Sequence, residues 1–155
     1  MNKEKFMKEA LKEAEKAYEK EEIPVGAIIV KDGKIIARAH NLKETRKSAL
    51  EHAEILAIRK ASKKLKSWRL LDCEMYVTLE PCTMCMGAII LSRIKKVYIG
   101  ALDEKTGACG SFINLQEHKY NHEVEIETGI LKEECEYILK DFFKNLRKNK
   151  RRKKC

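Results

Sequence analysis

Residues Leu70–Ser92 read LLDCEMYVTLEPCTMCMGAIILS. Leu70 to Leu79 has the β-branched and apolar character of a strand, Glu80-Pro81 breaks it, and Cys82 to Ser92 continues as an apolar helix. Proline costs little at a helix start, because its missing N–H would be unpaired there anyway. A strand leading directly into a helix is half of an α/β unit, and the flanking sequence repeats the alternation. Downstream, Lys96 to Ala101 reads as a strand, Gly100, Gly107 and Gly110 mark a loop, and Val124 to Glu127 reads as a last strand. Leu131 onward is helical. Upstream, His52 to Leu65 reads as a helix with Ile55, Leu56 and Ile58 on its buried side, after a polar, irregular segment at 41–51. Val25 to Val30, then Asp32-Gly33, then Lys34 to Ala39 is a strand, tight turn, strand pattern. Phe6, Ala10, Leu11, Ala14 and Ala17 recur at helical spacing, so residues 3–20 form an amphipathic helix. Strands alternating with helices predict an α/β structure with helices on both faces of one sheet, opening with a hairpin and pairing in parallel later.

The chain has 155 residues, the size of one domain with a single core. At 44% hydrophobic and 37% charged, it has apolar residues for a core and charges for a wetted surface. No apolar run approaches the roughly 20 residues of a membrane span. The segment from Met1 to Lys20 is charged and lacks the apolar centre of a signal peptide, so the expected location is the cytoplasm. The six cysteines then point to metal binding or catalysis rather than disulfides, since the cytosol keeps thiols reduced. Eight of the 33 Lys and Arg residues lie between Lys144 and Lys154 with no acid among them, which leaves 25 basic residues against 24 acidic ones elsewhere. Basicity therefore belongs to the tail. It suits a phosphate-bearing partner, and equally a frayed, solvated terminus. The expected organisation is one domain over 1–143 and a basic tail over 144–155 that continues the last helix.

His52 opens one helix, and Cys82 and Cys85 open another. Residues three apart share a helix face, so both sulfurs can address one ion. A helix N-terminus also favours thiolate, the form that binds metal. Three protein ligands leave a tetrahedral zinc with one open position, the mark of a catalytic rather than a structural site. His52 and Glu54, two apart, would not share a face inside a helix. At a helix entry the geometry is looser, so His52 can bind metal while Glu54 reaches over it and moves protons. His52-Ala53-Glu54 followed by Pro81-Cys82-Thr83-Met84-Cys85 resembles the signature of zinc nucleobase deaminases.

With these motifs in place, the chain closely resembles the bacterial tRNA-specific adenosine deaminases, the TadA family, from about Glu22 to Arg147. Matching stretches include Ile23-Pro24-Val25-Gly26-Ala27, Tyr76-Val77-Thr78-Leu79-Glu80-Pro81-Cys82, Lys105-Thr106-Gly107-Ala108 and Asp141-Phe142-Phe143. The resemblance implies a cytidine-deaminase-like three-layer α/β/α sandwich with a central mixed sheet of about five strands. It implies a homodimer with one Zn2+ per subunit, and conversion of the wobble adenosine of a tRNA anticodon to inosine. No organic cofactor and no membrane enter that chemistry. By the same resemblance Asn41 matches the asparagine that contacts the target base. The loop around Asp103 and Lys105 borders the RNA, and Phe143 and Arg147 match an aromatic-basic segment that contacts anticodon nucleotides. Phe143 also reads as a core aromatic of an amphipathic helix. The chain departs from the family at Ser48-Ala49-Leu50-Glu51, where Asp-Pro-Thr-Ala is common. Glu51 is expected to point to solvent. His40, His118 and His122 are assigned no role.

Two other functions share some of these residues. A deaminase of free guanine, cytosine or a nucleotide would use the same zinc residues but needs no phosphate-binding arm. A non-catalytic RNA-binding module would close the zinc with Cys73 or Cys109 and leave Glu54 without a role.

Overall fold

The computed structural model describes residues 2–153, so Lys154 and Cys155 of the basic tail lie outside the described residues. The order is α1 (Lys3–Glu19), β1 (Gly26–Lys31), β2 (Lys34–His40), α2 (Ala53–Leu65), β3 (Cys73–Leu79), α3 (Thr83–Leu91), β4 (Lys96–Ala101), β5 (Glu125–Thr128) and α4 (Lys132–Lys153), with a short 3-10 turn at Leu115–Glu117. The five strands form one sheet in the order β2-β1-β3-β4-β5. β1 is antiparallel to both β2 and β3, while β3, β4 and β5 run parallel. The sheet therefore opens with a hairpin and continues through the crossovers that parallel neighbours require, α3 between β3 and β4 and a long loop with the 3-10 turn between β4 and β5.

Residue alternation divides the core into two layers. Ala27, Ile29, Met75, Val77, Val97 and Ile99 pack on one face with α2 and α3. Ile28, Val30, Tyr76 and Tyr98 pack on the other, beneath α1 and α4. β1 is buried on both faces, so it reads as an apolar run instead of an alternating strand. Each Ile or Val so placed contributes about 1.5–3 kcal/mol relative to exposure. The assembly is the three-layer α/β/α sandwich with a mixed five-stranded sheet that the sequence predicts.

Two helix faces differ from expectation. The buried residues of α2 are Ala53, Glu54, Leu56, Ala57 and Ala61; Ile55 and Ile58 are both partly buried, and only Ile58 packs against the core cluster. Small alanines let α2 lie close to the sheet, and Ile55 falls off that narrow stripe. On α1 the buried residues are Met7, Ala10, Glu13, Ala14 and Ala17, with Phe6 and Leu11 only partly covered. The close contact is set at Gly26, where a Cβ would overlap the Ala10 carbonyl oxygen and the Ala14 amide nitrogen. Among the described residues, no helix is long and apolar enough to cross a membrane.

Candidate active site

The end of β2, the start of β1 and the ends of β3 and β4 all meet at one edge of the sheet. The N-termini of α2 and α3 converge on the same edge. In open α/β sheets the carboxyl ends of parallel strands are where ligand crevices form. His52 is the N-cap residue of α2, in an extended conformation at φ −77° and ψ 152°, and Glu54 lies in the first turn. Cys82 is likewise the N-cap residue of α3, at φ −76° and ψ 179°, with Cys85 in the first turn. The two extended caps turn His52 and Cys82 towards each other before the helical repeat begins.

The Nδ1 atom of His52 lies 3.7 Å from Cys82 Sγ and 3.5 Å from Cys85 Sγ. The three donor atoms all lie within 4.8 Å of one another. A tetrahedral zinc with its usual bond lengths holds a nitrogen and a sulfur about 3.6 Å apart, so the donor set fits that ion. Among the described residues no fourth His, Cys, Asp or Glu joins the group. Cys109 Sγ faces the sulfur of Met86 at 3.5 Å, and Cys73 Sγ faces the Leu71 carbonyl. The closed four-ligand arrangement with either cysteine is absent from the described residues.

Charge at the site follows from burial and from these contacts. The hydrogen bond from Cys85, opposed by burial and aided by His52, pushes the Cys82 thiol down to about 4. Cys85 is pushed up by its bond to Cys82 and by burial. Burial pushes Glu54, 4% exposed, up to about 7. A dication among these groups would favour both thiolates and the ionised carboxylate. Both helix N-termini act in the same direction.

Beside the donors lies a cavity of about 150 Å³, lined by Ile23, Val25, Asn41, Lys43, His52 and Glu54, among others. Its opposite wall includes Asp103 and Thr106. Two buried acids that sequence reasoning did not single out hold these walls. Glu80 accepts the backbone N–H groups of Asp103, Cys109 and Ser111 at 3.1, 2.9 and 3.2 Å. Gly107 leaves room for it, since a Cβ there would strike the Glu80 carboxylate. Glu22 does the same for the 41–51 loop, accepting from Glu44 N at 3.0 Å and Thr45 N at 2.6 Å. The only signal in the sequence is an acid adjoining an apolar stretch, where a lone carboxylate needs buried donors.

The family model of MafB19-like deaminases matches residues 1–147. The tRNA-specific adenosine deaminase of Bacillus subtilis (strain 168) is 54% identical over 147 residues, which is 94% of this chain and 91% of that one. The chain belongs to the tRNA-specific adenosine deaminase family. A solved structure from a study of A-to-I editing by tRNA:A34 deaminases at the wobble position of transfer RNA superposes with a TM-score of 0.85. It is 41% identical and covers 87% of this chain and 99% of its own. A guanine deaminase from Bacillus subtilis matches over a shorter span, 66% of each chain, at 45% identity and a TM-score of 0.63.

The residues that family resemblance brings to the substrate fall into two groups. Asn41 and Asp103 line the cavity. Asn41 is 7% exposed; its Nδ2 donates to the Ile23 carbonyl and its Oδ1 accepts from Lys43 N. Asp103 Oδ1 accepts from Lys105 N and Thr106 N, which closes the turn after β4. Lys105, Phe143 and Arg147 are exposed and outside the cavity. On α4 the core aromatic is Phe142, 6% exposed and edge-on to Tyr18, while its neighbour Phe143 is 38% exposed. Glu51 pairs with Arg59 at 3.3 Å and, more loosely, with Arg46, so it neither enters the cavity nor stands alone in solvent. His40 bonds Glu13 through Nδ1 at 2.9 Å, and His122 bonds the Ile94 carbonyl, so neither is a ligand.

Proposed function

We propose that this protein deaminates adenosine to inosine at the wobble position of a tRNA anticodon, with one Zn2+ per subunit held by His52, Cys82 and Cys85. The observation that carries it is the three-donor group beside a nearly buried Glu54, in a chain that matches a tRNA-specific adenosine deaminase over 94% of its length. One imidazole and two thiolates form a donor set that suits zinc. When bound there, zinc supplies Lewis-acid activation of a water for attack on C6 of the purine.

The chain's own residues do the rest. Glu54 stands in the cavity wall outside the donor group. Its carboxylate carries the water's first proton to the ring nitrogen beside C6, and then carries the second proton, left on the added oxygen, to the amine, which departs as ammonia as the C–N bond breaks. Asn41 has one amide hydrogen and one oxygen lone pair beyond its bonds to Ile23 and Lys43, enough to hold a base edge. A volume of about 150 Å³ equals roughly five waters, room for one unpaired base but not for a stacked pair. The target must therefore leave its stack, which is least costly in a single-stranded loop such as the anticodon.

Residues 1–143 carry the chemistry, and residues 144–155, Arg147 among them, contact the RNA together with Lys105 and Phe143. The protein acts in the cytoplasm as a homodimer. Leu91 on α3 and Phe112, 70% and 61% exposed, supply apolar surface that a second copy would cover. An ammonia-release assay with tRNA beside free bases and nucleosides tests the substrate. Ammonia from tRNA, with inosine in the anticodon, is the expected result. Release from free guanine or cytosine with none from tRNA would assign the shorter-matching class instead.

A further inference from the structure

Glu22 is fully buried, and each of its oxygens takes one backbone N–H of the loop that follows β2. Its partners are amides instead of a cation, so the fold bears the cost of desolvating a carboxylate. A neutral side chain of similar volume would spare that cost. The charge therefore serves something other than packing, and its position shows what. The chain reaches Glu22 through Glu21 at φ +61°, a left-handed conformation that residues other than glycine seldom adopt. That turn ends α1, where Glu22 N returns to the Ala17 carbonyl at 2.9 Å. It also sets Glu22 side by side with Ile23, whose carbonyl accepts Asn41 Nδ2 at 3.2 Å. Two consecutive residues thus grip the loop at Asn41 and again at Glu44 and Thr45. Between those grips sits Lys43, which lines the cavity with Asn41.

We infer that Glu22 is a positioning residue for substrate selection: acting through residues 41–45, it sets where Asn41 and Lys43 stand against the base, and it touches no substrate itself. This rests on the deaminase reading of the cavity. Burial works to raise the Glu22 pKa, but the hydrogen bonds from Thr45 and Glu44, with the Lys43 charge nearby, hold it below the usual range. The group is therefore an anion at neutral pH, with two lone-pair-bearing oxygens for two N–H groups. A glutamine would offer one oxygen and turn an NH2 group against the other donor.

The test uses the full-length, zinc-loaded protein with Glu22→Gln, Asn41→Ala and the double variant. Zinc content and the amide exchange of β1 and β3 should be unchanged in Glu22→Gln. Exchange at Glu44 and Thr45 should accelerate by at least roughly tenfold as a charged hydrogen bond is lost. Single-turnover kcat/KM on tRNA should fall on the order of 10- to 100-fold, the cost of a misplaced contact. The double variant should lose less than the two single losses combined, because part of the effect of Glu22 passes through the residue already removed. Glu22→Asp keeps the charge with a shorter reach; it should show the same pattern more weakly, and it takes over the test if the glutamine variant does not fold. Unchanged exchange at Glu44 and Thr45, or losses that add in the double variant, would overturn the inference. An unaltered protein that leaves tRNA untouched would overturn the deaminase reading, and this inference with it.

Discussion

Glu54 stands two residues past His52, in the first turn of α2, and is nearly buried beside three metal donors. It is placed to move protons without occupying a coordination position. Glu54→Gln is therefore expected to keep the fold and a full complement of zinc while losing on the order of 10²-fold or more in turnover. Metal analysis alongside single-turnover deamination checks both halves; an empty site or undiminished turnover would remove the role. The sulfurs give a second contrast. Cys82 and Cys85 lie within reach of His52 Nδ1, whereas the Cys109 thiol, pushed up to about 12 by burial, faces Met86. Cys82→Ala and Cys85→Ala should each bring zinc well below one per chain, since two ligands make a weak site. Cys109→Ala should leave zinc content where it was.

The elements matter for how closely they approach and where they stop. α1 lies against β1 at Gly26, and the loop that carries Glu22 leaves α1 just before that contact. Gly26→Ala forces the helix and strand apart, with an expected cost of about 1–3 kcal/mol. Urea unfolding reads this as a lower midpoint with unchanged slope, and an unaltered midpoint would show that the helix shifts without cost. α4 docks on α1 through a defined set of bonds. Tyr18 Oη donates to Asp141 at 2.6 Å, Asn145 Nδ2 donates to Tyr18 Oη at 2.6 Å, and Phe142 packs edge-on to Tyr18. Beyond Asn145 the described side chains are exposed, and most are basic. Truncation after Asn145 should preserve the docked part of the helix and the zinc. Its effect should fall on tRNA affinity, whose steep decline with salt flattens when fewer phosphates are neutralised. Binding measured across a salt series for both lengths decides it, and identical slopes would take the tail out of RNA recognition.

At the scale of the whole molecule, several carboxylates tie α1 to the sheet and the chain after α1 to the loop that follows β2. Bonds from Lys12 and then Arg38 lower the pKa of Glu9, and bonds from Lys3 and Lys96 lower that of Glu127, which links α1 to β5. Burial opposes the shift at Glu13 and Glu22, yet Lys16 and His40 at the first, and Thr45 and Glu44 at the second, still hold them low. A carboxylate lowered in the folded state contributes stability that is fully present above its unfolded pKa of about 4.3 and disappears as pH falls through the folded value. Thermal midpoints should therefore drop as pH falls below about 5. A midpoint independent of pH down to about 3 would mean that these pairs do not favour the folded state.

Local pattern and short motif spacing determined the element types, the opening hairpin and the parallel pairing. They also placed His52, Glu54, Cys82 and Cys85 at helix entries, because period, turn residues and helix starts involve neighbours along the chain. Element bounds shifted little, with β3 beginning at Cys73 instead of Leu70. Only the tertiary structure decided that Ile55 lies beside the packed stripe of α2 and that Phe142, not Phe143, enters the core. A 3.6-residue period does not choose between adjacent apolar residues until the helix is docked. Only the tertiary structure revealed Glu22 and Glu80, for the same kind of reason. Apart from the Ser111 hydroxyl on Glu80, their partners are backbone N–H groups 22 to 31 residues away, and a backbone amide carries no mark in the amino-acid sequence. A buried carboxylate becomes recognisable when folding brings its donors to it.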